Sequence, residues 1–557
     1  MSNFNSSTAS AGHGRHGACT RRRFLQTAAL AATASSSIST NSSLSAGEED
    51  GKPERLFWGD LHTHTALSDG NGQPEDHFEI AKSHLDFWAM TDHAFDKEVF
   101  SLDYRKFGTG RRLLNEDWQR IQRLCREHED PGRFVPLLGY EWTNFRYGHH
   151  NVYYRDYDQP IRMPSTLPQL YESLKNVDAL VIPHHPGYPV GICGKDWTFH
   201  DERLSPFVEI YSLHGSSETP EGITPLLTTG SWMGPGGAEG CVQAGLARGH
   251  KFGIIASTDS HGDHPGAYDL GLVAAYAKDL TRESLWEAFY RRRVYAVTGD
   301  RIRLDFSING HPMGSTVRDA GKRVLRVSAV AWNKVERVEI IKNNSIFHTF
   351  TQPMVDRPTL GKMRVRFFVE GGWDARAEHD WAASLALTGG RILHAIPCFR
   401  GHVAGRAGTG ISDLADRQCQ WTWKTEKARY DGLARRYADA MAFEVECSEH
   451  DKLQLAVACD QLKQDLPLAP GDILRTSTIK YMENIPTTND GAYWHNMKTC
   501  AKFKVHQGWH TDQLTLDLTC EDDGPVQGPN GTDFYYVRLV QRNGQRAWSS
   551  PIWVEQA

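Results

Sequence analysis

The chain has 557 residues, 39% of them hydrophobic, with 25 prolines and a net charge of −6. That length supports two or three domains with sizeable cores. No apolar run of about 18 residues marks a membrane-crossing helix, and no block of like charge marks a tail for nucleic acid or a membrane surface.

Residues 1–46 read as a leader. "TRRRFLQ", residues 20–26, resembles a twin-arginine export signal, with paired arginines ahead of the modest apolar stretch "TAALAATA" and a Ser/Thr/Asn-rich tract. The segment before Ala46 holds four arginines, no lysine and no acid, so its removal shifts the charge from −6 to −10. The expectation is a periplasmic or secreted protein, exported folded by the twin-arginine machinery and without a stable membrane anchor.

Residues 54–300 alternate short apolar runs with helix-like stretches. "LDFWAMTDH", "RFVPLLGYEW", "DALVIPHHP", "PFVEIYSLHG" and "KFGIIASTDSH" each read as a buried strand ending in polar residues of ligand type. Amphipathic segments such as "EDWQRIQRLCREHE" and "LPQLYESLKN" lie between them, and "RESLWEAFYRRRVYAVTG" reads as a closing helix and strand. This alternation predicts a parallel α/β sheet or barrel, whose chemistry gathers at the carboxyl ends of the strands.

From residue 301 to 557 the period becomes two, as in "RLDFSI", "RVLRVSAVAW", "KMRVRFFV" and "FYYVRLVQ", and "RNGQ" carries the Asn-Gly of a tight hairpin. The expectation is a mainly β, sandwich-like region. Within it "KARYDGLARRYADAMAF" is the one helix-like run. The ten cysteines form no C-x-x-C pair, so buried free thiols are the expected state and pairing after export the alternative.

More than half of the 26 histidines lie between His62 and His264. In "GDLHTHTALSDG", His62 and His64 stand two apart on an extended segment, followed by Asp69. Such a pair can offer two imidazoles to one ion or form a polar strand face. The recurrence decides: Asp92 and His93 in "TDH", Glu141 in "GYEW", His149 and His150 in "GHHN", His184 and His185 in "PHHP", and Asp259 and His261 in "TDSH". Nitrogen and oxygen donors without thiolate suit two or three divalent ions of Zn, Mn or Fe.

The order of these motifs resembles the PHP family, named for polymerase and histidinol phosphatase domains, over roughly residues 55–300. "WGDLHTHT", "LDFWAMTDHA", "GYEW" with "GHHNV", "RRRVYAVTGDRI" and the terminal "AWSSPIWV" more closely resemble a group of PHP-like proteins whose shared domain has no assigned function. The resemblance implies a distorted (β/α)7 barrel with up to three metals. It implies one ion on His62, His64 and Asp259 with Glu141 bridging, a second on Glu141, His149 and His184, and a third on Asp69, His93 and His261. Asp69 stands where many members have His or Glu, which points to a weaker third site. At each doubled histidine the first is preferred over His150 and His185. Asp60 and Asp92 are expected to orient the neighbouring imidazoles, and Glu209 and His214 are candidates for lining the substrate pocket.

Ions sharing a carboxylate around a bridging hydroxide suit phosphoester hydrolysis, with Glu141, Asp259 and His261 at the reacting centre and a small phosphorylated substrate. "GTGISD" lacks the lysine of a phosphate loop, and no nucleic-acid partner is expected. Two alternatives come from other classes: a hydrolase of C–N or C–O bonds of amidohydrolase type, and a glycan-binding protein with a structural metal barrel. The leader generates the first prediction. Replacing Arg21 and Arg22 by Lys should retain the precursor in the cytoplasm, as read by cell fractionation; undiminished export of the double variant would remove the twin-arginine assignment.

Overall fold

Apolar runs bounded by glycine, proline and polar residues become the strands of the amino-terminal half. The computed structural model of the protein describes residues 53–95, 112–220, 235–262, 264–318, 321–352, 361–374, 377–401, 409–426, 438–482 and 500–556, so the leader lies outside the described residues. The strands are β1 (Arg55–Asp60), β2 (Thr63–His64), β3 (Phe87–Met90), β4 (His93–Ala94), β5 (Val135–Trp142), β6 (His150–Tyr154), β7 (Ala179–Pro183), β8 (Phe207–Ser212), β9 (Gly215–Ser216), β10 (Gly253–Ala256), β11 (Ser260–His261), β12 (Leu272–Ala277) and β13 (Val294–Val297). Between them run helices α1 (Pro74–His84), α2 (Asn115–His128), α3 (Leu167–Leu174), α4 (Val242–Ala247) and α5 (Arg282–Tyr290). Local chemistry starts and stops these helices. Pro74 opens α1, with Glu75 and Asp76 in its first turn and Lys82 and His84 in its last. Thr281 caps α5 by accepting the Ser284 N–H at 3.2 Å.

The sheet is mixed. β1, β3 and β5 are parallel, in register Gly59 to Phe87 and Phe87 to Val135, and β8 is parallel to β10. β6 and β7 run antiparallel beyond β5, and β12 and β13 antiparallel on the other side of β1. Part of the reason is connection length: only residues 143–149 separate β5 from β6, too few for the crossover that a parallel pair needs. The β8–β10 ladder stands apart from the larger sheet, and among the described residues the ladders close no ring. The architecture is therefore a strand-rich α/β one, and the expected seven-unit barrel is not formed by its hydrogen bonds. Phe57, Phe87, Val135, Leu180, Phe207, Ile255 and Phe289 fill the core between these sheets and α5.

The carboxyl-terminal region contributes to the same sheet. "RNGQ" makes its hairpin, with Gly544 at φ +86° and the Gln541 N–H on the Gln545 carbonyl at 2.8 Å. It joins Thr532–Gln541 to Arg546–Ser549, and the latter pairs with β13, Tyr295 opposite Ser549.

A β-sandwich occupies the middle of this region. Lys362–Gly372, Arg391–Cys398 and Ala438–Ser448 belong to one sheet, and His379–Leu387, Gln418–Thr425 and Leu453–Cys459 to the other. Trp381, Trp421, Trp423, Phe443 and Leu455 pack between them. The helix-like run proves different where it is described: residues 427–437 lie outside the described residues, and Ala438–Ser448 is a strand paired on both sides. Met441, Phe443, Val445 and Cys447 alternate into the sandwich core, and that packing overrides the helix propensity of the alanines. The nine cysteines of the described residues are free, and all but Cys520 are buried. No helix among the described residues is long and apolar enough to cross a membrane. Phe443 is fully buried at the sandwich centre, so Phe443→Ala should cost about 3–5 kcal/mol of stability, read as a lowered midpoint in denaturant unfolding of the whole chain.

Candidate metal centre

The strand ends converge. β1 delivers His62 and leads into His64 on β2. β3 leads to Asp92 and to His93 on β4, β5 ends at Glu141, β7 leads to His184 and His185, β8 to His214, and β10 to Asp259 and to His261 on β11. His149 arrives differently. "GHHN" opens a strand, and because β6 is antiparallel, its start lies beside the end of β5, His150 opposite Trp142. Gly148 makes the approach with φ +83°, and a Cβ there would meet the Gly194 carbonyl oxygen at 2.8 Å. The short parallel bridge of β2 and β11 sets His64 against His261, their rings stacked 4.3 Å apart.

Glu141 lies at the centre and is 1% exposed. Its Oε2 is 3.4 Å from His62 Nε2, 3.3 Å from His64 Nε2 and 3.7 Å from His184 Nε2. Its Oε1 is 2.9 Å from His149 Nδ1 and 3.1 Å from His93 Nδ1. Asp259 Oδ1 is 3.3 Å from both His62 Nε2 and His64 Nε2, themselves 3.3 Å apart. Ligands held about 2.0–2.1 Å from one tetrahedral ion stand about 3.3–3.4 Å from each other. The His62–His64 edge thus forms triangles of that size with Glu141 and with Asp259. A further cluster joins His64, Asp69, His93 and His261, with Asp69 Oδ2 at 3.4 Å from His93 Nε2 and 3.5 Å from His261 Nε2. It is the open one: the His261 side chain is 35% exposed and that of Asp69 20%.

Hydrogen bonds assign the tautomers. His62 Nδ1 meets the Glu209 carboxylate at 3.1 Å. His261 Nδ1 faces the Asp259 carbonyl at 3.0 Å. His93 Nδ1 donates to Thr143 Oγ1 at 2.7 Å, and that hydroxyl donates to Glu141 Oε1 at 3.1 Å. With Nδ1 carrying the proton in each, the Nε2 lone pairs face the clusters, as metal-ligating histidines require. His149 Nε2, His64 Nδ1 and both ring nitrogens of His184 are buried without a hydrogen-bond partner. Orphaned donors and acceptors of this kind cost free energy unless something binds them. Together with the donor set, they fit divalent ions of borderline softness.

Charge points the same way. Among the described residues, every ion pair of Asp69, Glu141, Glu209 and Asp259 runs to a histidine, never to Lys or Arg. Burial opposes ionisation of Glu141, yet His93, His184 and His149 hold it well below the usual carboxylate range. Burial likewise disfavours the His62 imidazolium, but Asp259 and Glu209 outweigh it and raise the ring well above the usual histidine value. His261 is carried to about 9, burial being overcome chiefly by Asp69. His64 goes the other way, to about 4, through burial and its histidine neighbours. Burial lifts Glu209 to about 7. Cations arriving here displace protons, so their affinity falls as pH falls.

All nine residues expected as ligands are brought together. Of each doubled histidine, His150 turns away, its Nδ1 on the Gly148 carbonyl at 2.9 Å and its Nε2 3.2 Å from Lys195 Nζ. His185 does not turn away: it clusters with His149 and His184 and also with His214 and Asp259. Asp60 and Asp92 act otherwise than expected, for among the described residues neither forms a hydrogen bond or ion pair with an imidazole. Asp60 accepts from Thr258 Oγ1 at 2.7 Å and from the N–H groups of His62, Thr258 and Gly266. Asp92 accepts from Thr65 N–H at 2.8 Å, Thr65 Oγ1 at 2.9 Å and Ser68 Oγ at 2.6 Å. They fix the backbone turns that carry His62, His64, Asp69 and Asp259. Glu209, which sequence placed only at a pocket wall, is the carboxylate that orients a ring.

The model of a family described as a protein of unknown function, DUF3604, matches residues 75–225 and 266–329. An uncharacterized protein of Chlamydia pneumoniae is 29% identical over 321 residues, covering 53% of this chain and 48% of that one. One of Chlamydia trachomatis is 34% identical over 167 residues, 27% of each chain. The chain thus spans half or less of the length of these curated relatives. Among solved structures, a two-domain protein of Bacteroides vulgatus, described as containing a predicted PHP-like metal-dependent phosphoesterase, is 12% identical, with a TM-score of 0.31, covering 76% of this chain and all of that one.

Elemental analysis of protein purified without chelator should find at least two transition-metal ions per chain. Less than about one ion after attempted reconstitution would reject the centre. Glu141→Gln keeps the shape and removes the charge, and should lower that content in folded protein.

Proposed function

We propose that the protein is a metal-dependent hydrolase and that its substrates are phosphoesters. The observation that supports this best is Glu141, a buried carboxylate with one oxygen on the His62–His64 pair and the other on His149 and His93. His62, His64, Glu141 and Asp259 would hold one ion, Glu141, His149 and His184 a second, and Asp69, His93 and His261 a third. Bound ions would lower the pKa of water and offset charge on the transferred phosphoryl group.

The residues of the chain do the rest. Glu209 and Thr143 fix the Nδ1 protons of His62 and His93, so both rings present one lone pair in one direction. Asp60 and Asp92 lock the turns, which limits rearrangement when charge develops. The exposed edge at His261 and Asp69 is where a substrate would enter. With no Lys or Arg paired to the centre's carboxylates among the described residues, selectivity for an anionic substrate rests on the ions. Export through the twin-arginine route, implied by residues 20–26, is part of the same proposal, because a protein loaded with metal in the cytoplasm must leave folded.

The test is turnover against phosphomonoesters, phosphodiesters, carboxylic esters and amides, using metal-loaded full-length protein. Phosphoester hydrolysis should dominate, and Glu141→Gln should lose at least about 100-fold in kcat, roughly 2.7 kcal/mol of transition-state stabilisation. Turnover of amides or esters alone would move the protein to the C–N or C–O hydrolases. No turnover in a fully metallated protein would favour a binding role, with the sandwich holding glycan. A Glu141→Gln variant with near-normal turnover would show that the bridging role belongs elsewhere.

A further inference from the structure

His185 and His214 lie outside the three ligand sets, yet both face Asp259. Asp259 spends Oδ1 on the His62–His64 pair, and its Oδ2 lies 3.1 Å from His214 Nε2. The His185 and His214 rings are 5.0 Å apart at 70°, and one ligand atom each of His185, His214 and Asp259 lies within 4.8 Å of the others. His185 is 4% exposed, and its Nδ1 has no hydrogen-bond partner. His214 Nδ1 is bound from behind by the Tyr188 hydroxyl at 2.9 Å, which orients the ring and leaves Nε2 facing the carboxylate.

The backbone adds an independent observation. His185 has φ 32° and Asp259 φ 51°, in the left-handed region that costs a residue with a Cβ of order 1 kcal/mol or more. Two of the three side chains are thus aimed by strained backbone. The third is at the tip of the β8–β9 hairpin, where Tyr211 pairs with Ser216.

We infer that His185, His214 and Asp259 form a further divalent-ion site, sharing the Asp259 carboxylate with the ion on His62 and His64. Two imidazoles and one carboxylate select Zn2+, Fe2+ or Mn2+ over Ca2+ or Mg2+ and leave coordination positions open to water or a substrate oxygen. The inference rests on the reading of the whole cluster as a metal centre.

The experiment loads the full chain with Zn2+, removes the excess by dialysis, and counts zinc per folded chain in the wild type, His185→Ala and His214→Ala. In parallel, zinc-edge anomalous maps are calculated from wild-type crystals. Each variant should bind one ion fewer than wild type and keep the ion on His62 and His64, and the wild-type map should show a peak between His185, His214 and Asp259. Unchanged stoichiometry in both folded variants, or no peak there in crystals with peaks at the other clusters, overturns this site and leaves the metal centre standing. No zinc at all in the wild type overturns both. If the variants fail to fold, the anomalous map decides alone.

Discussion

A buried carboxylate surrounded by five imidazoles is the constraint around which the rest of the fold is arranged. Glu141 touches His62, His64, His93, His149 and His184, and no Lys or Arg of the described residues reaches it. An ionised carboxylate out of water is stable only with compensating positive charge. Protonated histidines can supply part of that charge, but burial, followed by repulsion from neighbouring imidazoles, holds the His64 and His184 rings below the usual histidine value. Bound divalent ions would supply it from fewer centres, each ringed by neutral donors and anionic carboxylates, and would at the same time satisfy the orphaned nitrogens of His149 and His184.

The strand arrangement follows from the need to gather so many donors. Parallel strands bring their carboxyl ends to one edge, which is how β1, β3 and β5 deliver His62, His93 and Glu141. An antiparallel strand can contribute only from its amino end, and β6 does so with His149. The paired turns after β1 and β10 are held by Asp60, which binds both the His62 and Thr258 N–H groups. Positions of ligand atoms are thus set by backbone hydrogen bonds to buried acids, a stiffer arrangement than side chains orienting one another across solvent.

What sequence reveals here depends on the range of the interaction. The candidate residues that come together were legible because each sits two or three residues after an apolar run: His62 after "FWGD", His93 after "FWAM", Asp259 after "GIIA". His149 lies against Glu141 where His150 turns away, while both rings of "PHHP" lie in the clusters, His185 at positive φ. That backbone state leaves no mark in residue type. Sheet direction was only half legible: the periodicity marks strands, but whether β6 returns antiparallel depends on the connection before it. The sandwich strand Ala438–Ser448 was misread because alanines fit a helix locally, and only partners far away in sequence, Phe367 opposite Phe443 among them, decide otherwise. Asp60, Asp92 and Glu209 are legible as candidates but their roles are not, because a carboxylate's partner is a tertiary property: Glu209 orients a ring, and Asp60 and Asp92 hold turns.

The carboxyl-terminal strands bear on the centre through one further buried acid. Glu218 is 3% exposed and accepts from the Tyr536 hydroxyl at 2.8 Å, Arg538 Nη1 at 2.8 Å and Trp548 Nε1 at 2.9 Å. All three donors sit on Thr532–Gln541 and Arg546–Ser549, the strands that extend the amino-terminal sheet through β13. Glu218 follows the β8–β9 hairpin, whose tip carries His214, and its neighbour Ser217 accepts the Gly187 N–H at 3.3 Å through its hydroxyl. Gly187 lies two residues beyond His185. The loops that present His185 and His214 are therefore pinned to strands more than 300 residues further along the chain. A charge-assisted, largely buried set of hydrogen bonds is costly to leave half made, so loss of the final strands would also loosen those loops. The candidate metal centre is in this sense braced by the strands Thr532–Gln541 and Arg546–Ser549, and the β region is part of the scaffold around it.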